Sequence, residues 1–281
     1  MRQVRKKLDS FTGGGYSNTF KQQLDVGMTI DEIVLNVTNI DTAQIEEIEI
    51  NLNGDPIVSV DGQHLKDLHA HLGKPAETGR FRVPFKDVSL KTDQGQIMTS
   101  LVTLPTDNLV LKIKVGAVTS AQSTANAVPS VSGYMFLSAG RPRVFLPRIK
   151  REYIAIGMTG ENNVKTIPTG PAIRRMFLLD GGRISRLRIK RDNMEILDAD
   201  KADNEADLKY YGLQPVTGQF VFSPIMTGWG VMDMLKTANS KLELLPTVTE
   251  AGDMAVIMHT IEVAGNPGVD PLSVLLTQAK V

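Results

Sequence analysis

From Phe20 onward the chain alternates apolar and polar residues in short runs. Ile33, Leu35 and Val37 are interleaved with Val34, Asn36 and Thr38. Ile48, Ile50 and Leu52 alternate with Glu47, Glu49 and Asn51, a period of two that predicts a strand with one polar face. Asn53-Gly54-Asp55-Pro56 supplies a turn. Leu65, Leu68 and Leu72 then fall at helical spacing, and Gly73 and Pro75 close a short helix over 62–72. Strands resume at 80–85 and 109–115, the latter with Lys112 and Lys114 outward. Residues 119–133, rich in Ala, Ser, Thr and Pro, read as a loop or linker, and Gly140-Arg141-Pro142-Arg143 marks a second boundary. Beyond it the pattern restarts, with strands over 153–158, 176–179, 184–189, 219–222, 242–245 and 254–263. A polar helix is expected around 199–211 and another over 231–238, and the tail 265–281 is Pro/Gly-broken, then mildly helical.

The two halves share more than a style. Thr78-Gly79-Arg80-Phe81 is matched by Thr217-Gly218-Gln219-Phe220; positions 78 and 217, 79 and 218, 81 and 220 are each 139 apart. Gly73 and Gly212 keep that spacing, as do the runs at 45–50 and 184–189, while Leu104-Pro105-Thr106 and Leu245-Pro246-Thr247 lie 141 apart. A period this long implies two similar domains; solenoid repeats run to roughly 20–50 residues. Many short strands with few helices argue for an all-β protein, with about eight strands per half, the jelly-roll size class. The expected organisation is an N-terminal arm over 1–18, a first jelly roll over 19–140, a second over 141–265 and a tail over 266–281.

Composition narrows function mainly by exclusion. The 281 residues are 42% hydrophobic and 22% charged with zero formal net charge, so no overall charge directs the chain to nucleic acid or an anionic membrane. Cysteine is absent, which removes disulfides and thiolate metal sites. The basic start, with Arg2, Arg5, Lys6 and Lys7, lacks a following apolar region, so a soluble chain without an export signal is expected. Together with Gly13-Gly14-Gly15 that start reads as a flexible arm: a frayed terminus, or one that orders on an acidic or lipid surface.

Catalytic patterns are missing. His64, His69, His71 and His259 are the only histidines, and the first three are read as surface helix residues rather than metal ligands. The run Asp198-Ala199-Asp200-Lys201-Ala202-Asp203-Asn204-Glu205-Ala206-Asp207 fails the calcium-loop spacing at Ala202 and Asp203; a solvated helix is expected, the alternative being a low-affinity divalent cation such as calcium at a subunit contact. Gly13–Gly15 has no phosphate-loop lysine, and nucleophile-elbow and zinc-protease motifs are absent. Arg174, Arg175, Arg183, Arg186, Arg188, Lys190 and Arg191 are expected to cover one sheet face, solvated or between subunits. Sequence-specific nucleic-acid binding would want interleaved aromatics, and these make up only 5%.

The strand pattern at 33–35 and 45–54, the segments Leu187-Arg188-Ile189, Ala202-Asp203-Asn204 and Leu208-Lys209-Tyr210-Tyr211-Gly212, and the later strands at 242–244 and 255–257 together resemble the corticovirus-type major capsid protein, from about Phe20 to Val263. The resemblance implies a double jelly roll that forms homotrimers, pseudo-hexameric capsomers of the icosahedral shell of a membrane-containing double-stranded-DNA bacteriophage. It implies a virion protein made in the host cytoplasm, with no catalysis and no cofactor. Its partners would be neighbouring capsomers, minor capsid or penton proteins, and an internal viral membrane met by Arg2, Arg5, Lys6 and Lys7. The alternative is a carbohydrate-binding or glycoside-hydrolysing β-sandwich, since one fold hosts many functions. A glycan cleft would want several exposed aromatics, whereas the chain has one Trp, Trp229, read as a loop anchor or interface plug, and five Tyr.

Overall fold

The alternation at 45–52 becomes a strand whose inward side chains Ile48 and Ile50 are fully buried, while Glu47 and Glu49 stand opposite Lys114 and Lys112 on the outer face. The computed structural model describes residues 3–165, 167, 169–229 and 232–278. It divides into two units, one formed by 1–70, 74–87 and 96–143, the other by 71–73, 88–95 and 144–281.

The first unit contains β1 (Val4–Lys7), β2 (Thr12–Gly13), β3 (Thr19–Leu24), β4 (Thr29–Thr38), β5 (Ile45–Leu52), β6 (Asp55–Val60), α1 (Gly62–His71), β7 (Arg80–Pro84), α2 (Asp93–Thr99), β8 (Leu101–Val102), β9 (Leu109–Val115), α3 (Ser120–Thr124) and β10 (Ser130–Ser138), with the ends of α1 and α2 grouping with the second unit. One sheet runs β1-β10-β4-β7, with β8 also on β4, and the other β6-β5-β9-β3-β2. The second unit contains β11 (Phe145–Ile154), β12 (Gly160–Glu161), β13 (Ala172–Leu179), β14 (Ile184–Arg191), β15 (Met194–Asp200), α4 (Lys201–Tyr210), β16 (Phe220–Phe222), β17 (Leu242–Val248), β18 (Met254–Val263) and α5 (Pro271–Gln278). Its sheets run β16-β13-β18-β11 and β12-β17-β14-β15. Met176, Leu178, Leu187, Ile189 and Leu244 pack between them as a hydrophobic core.

The connectivity of the two units is the same. β4 pairs with β10, β7 and β8; β13 pairs with β18, β16 and, through an isolated bridge to Ile173, Leu235. β5 lies between β6 and β9 as β14 lies between β15 and β17. α1 and α4 hold corresponding places, 62 to 201 and 71 to 210 both being 139. The turns at Asn53-Gly54 and Asp192-Asn193 correspond too, all four residues having positive φ between 52° and 89°, as tight two-residue hairpins require. Each unit is therefore an antiparallel sandwich built to one plan.

Several expectations need correction. Residues 4–7 do not form a flexible arm: β1 pairs with β10 over Val4↔Leu137 to Lys7↔Tyr134, and Leu8 is buried behind it. In the first unit β1 takes the place that β11 takes in the second. The segment 119–133 is not a linker throughout, because β10 begins at Ser130. Gly133 is there for close packing, as a Cβ would collide with the Val34 carbonyl oxygen. The strand expected over 153–158 lies earlier, at Phe145–Ile154. No helix forms over the described part of 231–238. Met234 and Leu235 are both buried in succession, and the Leu235 backbone is drawn into paired bonds with Ile173 at 2.9 and 3.0 Å. The tertiary ladder outweighs local helical spacing there; residues 230 and 231 lie outside the described part.

Candidate assembly surfaces

Polar side chains on the outer sheet faces are largely matched to partners within their own unit. On the first, Lys112 Nζ lies 3.2 Å from Glu49 and Lys114 Nζ 2.8 Å from Glu46. At the turn before β7, Glu77 accepts from Arg82 at 2.8 and 3.1 Å and from Arg80 at 3.2 Å. The hydrogen-bonded Arg82 guanidinium, with Arg80 behind it, pulls the Glu77 carboxyl down to about 2 against the effect of burial. On the second unit, Arg186 is bound to Asp198, and Arg188 to Glu161 and, at 3.7 Å, Glu195. The Arg186 hydrogen bond holds Asp198 below the usual carboxylate range.

The sequence-predicted arm residues are dispersed. Arg5 sets its guanidinium 3.7 Å above the Tyr134 ring, and Lys6 Nζ pairs with Asp25 at 2.8 Å. Lys7 is exposed at the rim of an open groove of about 570 Å³ lined by Leu8, Phe11, Phe20, Pro129 and Val131. Arg2 lies outside the described residues.

The candidate chemical groups find structural work. His64 and His71 are buried, contrary to the surface reading, and so is His259 in β18; His71 meets the Gln214 carbonyl through Nδ1 at 2.6 Å and the edge of Phe177 at 5.4 Å between ring centres. A short helix packed by its apolar stripe turns His64 and His71 inward with Leu65 and Leu68, which the spacing at 64, 68 and 71 already carried. Arg174 and Arg175 are also buried rather than on a solvated face, and Arg175 donates to Ser89 at 2.6 Å. The acidic run splits: Asp198 and Asp200 end β15, and α4 follows with Asn204 buried and donating to the Val221 carbonyl at 2.9 Å. Among the described residues no three His, Asp or Glu side chains are gathered as a metal site, and no helix is long and apolar enough to cross a membrane. Trp229 is 68% exposed, with Lys91 Nζ 5.2 Å from its ring centre.

Sequence reading missed the open sheet edges. β1 and β15 each end a sheet, and β15 exposes Met194 and Ile196. The apolar pair Met194 and Ile196 just after the Asp192-Asn193 turn was the available signal, masked by the acidic residues that follow.

A chain of two like antiparallel sandwiches, with matched polar faces, exposed strand edges and its buried histidines in structural roles, defines a double jelly-roll coat protein. Residues 5–135 match the family model of the viral coat protein P2 N-terminal domain and 146–264 that of its C-terminal domain, and the chain belongs to this family. It is a structural protein of the virion, a major capsid protein that assembles with other capsid subunits, and not an enzyme. The fold is similar to that of the major capsid protein P2 from bacteriophage PM2, with a TM-score of 0.83, 18% identity, and coverage of 93% of this chain and 98% of that one. It is also similar to the Sulfolobus turreted icosahedral virus structure, at a TM-score of 0.67 and 11% identity over 94% of this chain and 91% of that one. The PBCV-1 virus capsid gives a TM-score of 0.61 and 11% identity, covering 93% of each chain. No curated protein sequence matches the chain significantly.

Proposed function

We propose that the chain assembles as homotrimers, each a pseudo-hexameric capsomer of an icosahedral shell around an internal lipid membrane and a double-stranded-DNA genome. The observation that carries this reading is the shared connectivity of the two units: three copies of a doubled chain present six similar wedges, and a six-sided block tiles a shell. Closed symmetry then covers surfaces that a monomer leaves open. Neighbouring capsomers and minor or penton proteins would meet the outer flanks, and synthesis would take place in the host cytoplasm. No cofactor and no sequence-specific nucleic acid enter the reading. The basic start, Arg2, Arg5, Lys6 and Lys7, would face acidic lipid. With Val4–Lys7 held in a strand, that contact would be made by side chains of an ordered flank, which leaves its outer backbone edge for a neighbouring chain.

Light scattering on the purified full chain tests the assembly. A particle near three times 30.7 kDa is expected, and a monodisperse monomer would overturn the reading. Flotation with anionic vesicles tests the lipid contact: loss of binding on deleting residues 2–7 supports it, and unchanged binding removes it.

A further inference from the structure

Each unit has an exposed strand that ends its sheet, β1 in the first and β15 in the second, and the two differ in charge. β1 ends the sheet β1-β10-β4-β7. The Leu8 N–H donates to the Gly133 carbonyl at 2.9 Å, which fixes the alternation along the strand. Lys6 therefore turns its backbone groups toward β10, and Arg5 and Lys7 turn theirs away. All four β1 residues are exposed, Val4 by 45%.

β15 ends the sheet β12-β17-β14-β15. Arg191 and Met194 flank the two-residue turn at Asp192-Asn193, so Met194 bonds back to β14 and Glu195 presents its N–H and C=O outward. Its exposed residues combine apolar and acidic groups: Met194 at 67% and Ile196 at 39%, with Glu195, Asp198 and Asp200.

An exposed edge is a template for another strand. β1 against a second β1 would bring Arg5 and Lys7 onto their own kind, and β15 against β15 would do the same with Glu195, which Arg188 holds only at 3.7 Å, whereas Lys6 and Asp198 are already tied to Asp25 and Arg186. The unlike edges attract, and charge arrangement of this kind fixes partner and register more than it adds raw affinity. We propose that β1 of one copy adds alongside β15 of the next, so that a sheet of the first unit continues into the second unit of a neighbouring chain. Val4 then adds an apolar side chain to a contact whose β15 partner exposes Met194 and Ile196. The contact is head-to-tail, and such contacts close into rings when the rotation allows. In a ring of three every β1 and every β15 is used once. This inference rests on the trimer reading and specifies its interface.

The test is a charge exchange on the full-length chain, using Lys7→Glu, Glu195→Lys and the two combined, with association followed by analytical ultracentrifugation. Both side chains are exposed, so each variant is expected to keep the wild-type circular-dichroism melt. Each single variant is expected to weaken association by about ten-fold or more, and the pair to recover most of that loss. Lys7→Pro, which removes an outward N–H and spares the bonds to β10, is expected to weaken association as well. A trimeric wild type with single variants that assemble normally overturns the contact and leaves the trimer standing, as does a double variant no better than either single. A monomeric wild type overturns the trimer reading itself.

Discussion

Gly79 and Gly218 occupy the same turn in two different units. Both have positive φ, 63° and 73°, and each lies two residues before a buried phenylalanine, Phe81 and Phe220. Their surroundings differ, however: a Cβ on Gly79 would lie 2.9 Å from the Val37 carbonyl oxygen, whereas one on Gly218 finds nothing nearer than 3.8 Å. Gly218→Ala therefore meets backbone strain alone and should cost about 1 kcal/mol. Gly79→Ala adds a backbone collision and disturbs the 2.7 Å bond from Val37 N–H to the Gly79 carbonyl, for about 3 kcal/mol. Denaturant midpoints of the two variants, measured side by side, check the order.

Asp107 ties two loops of the first unit together. Its carboxylate accepts from Leu104 N–H at 2.7 Å, Asn53 Nδ2 at 2.9 Å and Arg143 Nη1 at 2.5 Å. Burial pushes its pKa up, but these three donors prevail and hold it below the ordinary carboxylate value. Asp107→Ala leaves Arg143 unpaired in a largely buried place and should cost about 3 kcal/mol. A chemical-denaturation series comparing Asp107→Ala with Arg143→Ala and the double variant would show strong non-additivity.

Glu77 makes stability depend on acid. Its folded pKa, about 2, lies below the ordinary 4.5, so its stabilisation is complete above the unfolded value and is lost as pH falls from 4.5 toward 2. Solvent screening at a partly exposed site removes most of the benefit, and Glu77→Gln should cost about 1 kcal/mol at neutral pH. The cost should vanish near pH 2, which melting curves between pH 2 and 7 would reveal.

Leu8 secures β1. It is buried at 6% exposure, and its N–H bonds to Gly133 in the middle of the sheet. Leu8→Ala should destabilise the chain by about 2–3 kcal/mol and release β1. Hydrogen exchange would then rise at Met135 and Leu137, the partners of Lys6 and Val4.

Where the alternation was strict, as at 45–52 and 184–189, the sequence was enough to place both strand and facing. The repeat at 139 also read through to the structure, because helix ends, hairpin turns and buried phenylalanines all keep that spacing. Reading failed where a residue's role came from a distant partner. Nothing local to Val4–Lys7 shows that β10 will pair with it, and nothing local to Leu235 announces Ile173. Arg174 and Arg175 belong to a strand buried on both faces, where charge alone suggests solvent. The surfaces were legible in kind but not in place. Polar faces followed from alternation, while the free edges depend on which strand ends each sheet.

One difference between the halves offers a use. β9 and β10 are joined by residues 116–129, which include the exposed helix α3, whereas β17 and β18 are joined by 249–253 alone. The longer connection has already absorbed additional chain without changing the strand order around it. It is the natural site for grafting a foreign epitope or affinity tag, at one copy of the insert per subunit.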